Sequence, residues 1–113
     1  MSANHGLTDG TVAQIRDALA RFPEVEKAIL YGSRAKGNFK PGSDIDLTLL
    51  GAEVTQKILG QIQGSLDDGP LPYRFDLSIF SQITHADLIN HIRRVGVAFY
   101  ERDPAMTGVK ANP

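Results

Sequence analysis

Cysteine and tryptophan are both absent from these 113 residues. Without cysteine there are no disulfides and no cysteine-ligated zinc, which suits a cytoplasmic protein, although many others would fit too. A dominant charge is missing as well. Twelve basic residues against thirteen acidic ones leave a net charge of -1, so no global positive field recruits nucleic acid, and direct nucleic-acid binding is not expected. No stretch approaches the ~20 apolar residues of a membrane span, and residues 1–10 lack the basic-then-apolar pattern of a targeting segment. The expectation is a soluble, cytoplasmic protein without a membrane partner. The phosphate loop Gly-x-x-x-x-Gly-Lys-Ser/Thr is also absent.

The length suits one core, not two. The expected division is a domain over residues 1–101 and a flexible tail over 102–113, where Pro104, Gly108 and Pro113 accompany few large apolar residues. A first helix is expected from Thr11, with Gln14 completing a capping box and Val12, Ile15, Leu19 and Phe22 at helical spacing before Pro23. Val25 to Tyr31 reads as a buried strand, followed by a sharp turn with room for about one helical turn after Ser33. Asp44 to Leu50 alternates, with Ile45, Leu47 and Leu49 on one face and Asp44, Asp46 and Thr48 on the other. Residues 55–66 form a second amphipathic helix behind Thr55, although Gly60 and Gly64 weaken it. Tyr73 to Phe80 is a further strand with Tyr73, Phe75, Leu77 and Ile79 on one face and Asp76 on the other. A last helix starts at Thr84, directs Leu88, Ile89, Ile92 and Val95 to the core and stops at Gly96; a short strand from Val97 to Tyr100 follows.

Asp44 and Asp46 are two apart on a strand, which puts their carboxylates on one face with Cα atoms ~7 Å apart. Both can reach one metal or bridge two, and hard oxygen ligands favour magnesium or manganese. Alternating acids also suit a solvated strand face, and these two taken alone fit that description better. Asp76 shifts the balance, because the alternation that buries Phe75, Leu77 and Ile79 sends it to the face Asp44 and Asp46 occupy. Three like charges on one sheet face repel unless a cation compensates them. Asp67 and Asp68, beside Gly69 and Pro70, read instead as turn residues.

Gly32 and Ser33 supply the anion side: glycine lets backbone approach phosphate, and the free N–H groups and the serine hydroxyl bind its oxygens. Such a pair is common in plain turns. Arg34, Lys36 and Lys40 can neutralise a triphosphate, with solvated loop charge an equal reading for Arg34 and a better one for the two lysines. His5, His85 and His91 form no constellation and read as surface residues, His5 in a loose terminus.

The run Gly32-Ser33-Arg34-Ala35-Lys36-Gly37, the following Ser43-Asp44-Ile45-Asp46-Leu47 and the later Asp76 resemble the signature of the DNA polymerase beta nucleotidyltransferase superfamily. The smallest branch, the minimal nucleotidyltransferases, is the best match, and the close Gly96-Val97-Ala98-Phe99-Tyr100-Glu101 is similar too. The resemblance implies an α/β (α+β) fold, a small mixed β-sheet flanked by about four helices. It implies two Mg2+ ions, or Mn2+, held by Asp44 and Asp46, with Asp76 on the catalytic metal and orienting the attacking hydroxyl. Gly32 and Ser33 would hold the outer phosphates of ATP, the donor of AMP. Larger relatives add a second domain for the acceptor, so a partner is expected to complete the site.

In this branch the partner is often an adjacently encoded HEPN toxin, which the nucleotidyltransferase counters as antitoxin by attaching AMP to a tyrosine hydroxyl. Two alternatives stand beside that expectation. One is a non-catalytic antitoxin that masks its partner, and the other is nucleotidyl transfer to a small molecule such as an aminoglycoside.

Overall fold

A computed structural model describes residues 5–102. The expected tail lies outside the described residues except for Arg102, whose backbone N–H donates to the Glu26 carbonyl at 2.9 Å. The elements in chain order are α1 (Asp9–Ala20), β1 (Lys27–Tyr31), α2 (Gly32–Lys36), β2 (Ile45–Leu50), α3 (Gln56–Asp67), β3 (Phe75–Ile79), a 3-10 turn (Phe80–Gln82), α4 (Ala86–Val95) and β4 (Val97–Glu101). This is the expected mixed α/β architecture, with four helices around a four-stranded sheet of order β3-β2-β1-β4. β1 runs antiparallel to both β2 and β4, whereas β2 and β3 are parallel and joined through α3.

Strand alternation divides the sheet into two faces. One carries Ala28, Leu30, Ile45, Leu47, Leu49, Phe75 and Ile79, which join Ile15 and Leu19 of α1 and Ile62 and Leu66 of α3 in a single core. Burying each such side chain contributes about 2 kcal/mol. The cap of α1 is Thr8, not Thr11: the Thr8 hydroxyl accepts from the Thr11 N–H at 3.1 Å. The Thr55 cap of α3 is as expected, accepting from the Ile58 N–H at 3.2 Å.

The expectations for His5 and for the last helix also fail. His5 is buried rather than loose; its ring centroid lies 6.1 Å from that of Phe99, and its Nδ1 accepts from the Leu7 N–H. The last helix begins at Ala86 without a side-chain cap from Thr84, and of its apolar residues only Ile92 is buried. The physical reason is that α1 and α3 already occupy the apolar face. α4 instead covers the β1 end of the opposite face, where Gly96 packs so closely on Ile29 that a β-carbon there would meet Ile29 Cγ2 at 2.7 Å.

Candidate active site

The second sheet face brings the acidic residues together at one end. Register pairs Tyr31 with Asp46 across β1 and β2, and Asp46 with Asp76 across β2 and β3. Asp46 and Asp76 therefore stand side by side near the starts of two parallel strands, at the end where β1 runs into Gly32. Asp44 falls just before β2 and is exposed, as is Asp76, whereas Asp46 is half-buried. Beneath the acids the face is closed by polar groups. The Ser78 hydroxyl donates to the wholly buried Thr48 Oγ1 at 2.9 Å, and Tyr31 of β1 hydrogen-bonds to Ser78 of β3 across the intervening β2.

Burial, followed by the Asp76 and Asp44 charges, pushes the Asp46 carboxyl up to about 6. Burial also raises the Tyr31 phenol, with the Ser78 hydrogen bond opposing and the Asp76 and Asp46 charges adding to the rise. Burial leads both shifts, and behind it the neighbouring carboxylates add unfavourable negative charge. A cation would relieve it, and carboxylate oxygens suit magnesium or manganese. Among the described residues, however, no three His, Cys, Asp or Glu side chains are gathered into a group that could hold a metal as it stands.

Gly32 has φ +78°, in the left-handed region, and the Asp46 Oδ2 oxygen occupies the space its β-carbon would take. Only glycine satisfies both conditions. Ser33 sits in the first turn of α2, half-buried. Arg34 differs from its reading as a triphosphate ligand. Its side chain is 1% exposed, and the guanidinium donates to the carbonyls of His5 at 2.8 Å, Ser43 at 3.1 Å and Pro41 at 3.2 Å. It also lies over the Phe39 and Tyr73 rings, 5.1 and 5.0 Å from their centroids. So held, Arg34 organises the loop leading to Asp44 and does not turn toward the carboxylates. Lys36 and Lys40 are exposed in the same loop.

Four further residues belong to this region: Tyr31, Ser78, Arg74 and His91, the last of which reads from the sequence as a surface residue. Tyr31 and Ser78 lie on the acidic face; a period-two step from Asp76 reaches Ser78, whereas Tyr31 joins only through the register of β1 with β2. His91 of α4 accepts a hydrogen bond from the Gly32 N–H at Nε2, 3.2 Å away, and meets the Tyr31 ring edge-on. No sequence signal links His91 to residue 32, because the contact spans 59 residues. Arg74 also shares the acidic face by alternation, one step before the paired Phe75.

The sequence profile described as "Polymerase beta, Nucleotidyltransferase" matches residues 13–105. The chain belongs to that nucleotidyltransferase family. Solved structures agree on the fold. A chain of a toxin-antitoxin complex with AMP-PNP is similar at TM-score 0.64 and 20% identity, over 92% of this chain and 83% of that one. A chain of the toxin-antitoxin MntA-HepT is similar at TM-score 0.57 and 18% identity, over 91% and 82%. A chain from Shewanella oneidensis gives TM-score 0.59 at 16% identity, over 91% and 82%. No curated protein matches by sequence. Among the described residues no helix of this nucleotidyltransferase domain is long and apolar enough to cross a membrane.

Proposed function

We propose that this chain transfers AMP from ATP to a hydroxyl, such as that of a tyrosine, on a HEPN-type toxin and so acts as its antitoxin. The observation that carries the reading is the pairing of Asp46 with Asp76 at the sheet end where Gly32 makes room for the Asp46 carboxylate. Asp44 and Asp46 would hold two divalent cations, and Asp76 would share the one nearer the acceptor. Bound there, magnesium would neutralise the triphosphate and sharpen the acceptor oxygen as a nucleophile. The Gly32–Ser33 turn takes the outer phosphates, and Asp76 orients the acceptor hydroxyl and receives its proton. The acceptor oxygen then bonds to the α-phosphorus as the bond from that phosphorus to the β-phosphate's bridging oxygen breaks, and pyrophosphate leaves.

The toxin as acceptor is supported by the toxin-antitoxin complexes among the similar structures. Mixing the chain with labelled ATP, magnesium and the adjacently encoded protein tests the reading. Label should pass to the partner and fail to do so with Asp46→Asn; no transfer at all, or transfer that survives the substitution, refutes it.

The toxin-antitoxin complexes among the similar structures also fit a second reading, a binding antitoxin without catalysis. Under that reading the doubly substituted Asp44→Asn/Asp46→Asn chain neutralises its partner as fully as the parent does. Under the first reading it does not.

A further inference from the structure

We infer that His91 is a positioning residue for the carboxylate site, holding the Gly32 amide from α4 and thereby the turn against which Asp46 packs. The inference rests on the nucleotidyltransferase reading of that site and adds to it a side chain from another element.

Gly32 lacks a side chain and has φ +78°, so little in its own chemistry fixes its peptide plane. Its N–H begins a five-residue helix and has no intrahelical acceptor. The acceptor it finds is His91 Nε2, at 3.2 Å. The His91 ring is steadied in turn. It meets Tyr31 edge-on, with centroids 6.2 Å apart and planes at 80°. Its neighbour in sequence, Ile92, is 2% exposed, and Gly96 locks the end of α4 against Ile29. A chain of fixed contacts therefore runs from α4 through His91 to Gly32, and the Asp46 carboxylate fills the space beside Gly32. A turn released from His91 can rotate and let that carboxylate drift. Small displacements at reacting groups are costly in rate, about a hundredfold for 1 Å.

Two substitutions separate the hydrogen bond from packing. His91→Phe keeps a ring against Tyr31 but offers no acceptor, while His91→Gln loses the ring and retains an acceptor oxygen. In the metal-free protein, hydrogen exchange at the Gly32 amide should quicken about fivefold to tenfold in His91→Phe, the worth of one hydrogen bond, and stay near the parent rate in His91→Gln. Mn2+ affinity should fall in His91→Phe and recover in His91→Gln. Unchanged exchange and Mn2+ affinity in His91→Phe, or equal losses in both variants, would overturn the inference. Should the variants not fold, the parent ring decides: nitrogen NMR must show Nε2 unprotonated and Nδ1 carrying the hydrogen, and the reverse tautomer refutes the assignment. The Asp46→Asn control keeps the two claims apart. If the parent's Mn2+ affinity does not depend on Asp46, the nucleotidyltransferase reading fails, while Gly32 exchange still reports on His91.

Discussion

Asp46 and Asp76 are register partners on adjacent parallel strands, and they share the sheet face opposite the hydrophobic core. Two carboxylates so paired form a poor surface by themselves and a suitable one for a cation.

Burial of Asp46, with the Asp76 and Asp44 charges adding to it, gives stability a defined pH dependence. In the metal-free protein Asp46 is raised from 3.8 to about 6, so the folded state binds its proton more tightly than the unfolded state does. The resulting stabilisation is complete below pH 3.8 and is lost as pH rises through about 6. Urea unfolding of the parent and of Asp46→Asn should diverge across this window, the Asn variant gaining relative stability toward neutral pH. Millimolar Mg2+ should close the gap above pH 6 by stabilising the parent alone, since the cation competes with the proton.

Gly32→Ala should damage the site more than the fold. The left-handed backbone costs alanine about 1 kcal/mol, and its methyl group displaces the Asp46 carboxylate. Unfolding by urea should show the modest loss, while transfer at saturating ATP falls about a hundredfold.

Arg34→Ala should act in the opposite sense. It strands the carbonyls of His5, Pro41 and Ser43 and removes two ring contacts, a loss of about 3 kcal/mol. Arg34→Lys should recover only part of it, because one ammonium cannot reproduce the planar fork. Stability is measured by denaturant unfolding, and the KM for ATP of whichever variant stays folded should remain within about threefold of the parent's, a shift below 1 kcal/mol.

Gly60→Ala should stabilise. Gly60 is an exposed position inside α3, and a β-carbon there meets nothing within 4 Å, so the gain approaches the helix-propensity difference of about 1 kcal/mol. Thermal unfolding should show a Tm several degrees higher, with transfer unchanged.

Much of this was legible in the sequence because it is periodic. The alternation through Ile45, Leu47 and Leu49, and through Phe75 and Ile79, correctly divided core from acidic face and placed Asp76 beside Asp46. What escaped depends on distance or on burial of charge. Arg34 looks like a loop cation until the five groups around it are assembled, among them His5 from a terminus that looks loose. His91 meets Gly32 across the fold. The last helix read as a core helix because its apolar stripe is clear, but α1 and α3 fill the apolar face before α4 can reach it.

The most direct measurement is intact and peptide mass analysis of the proposed HEPN-type partner after incubation with ATP, Mg2+ and this chain. The account predicts one or more added AMP groups on partner hydroxyls with the parent chain, and none with Asp46→Asn or Asp76→Asn. A partner that is neutralised while its mass stays unchanged would contradict it.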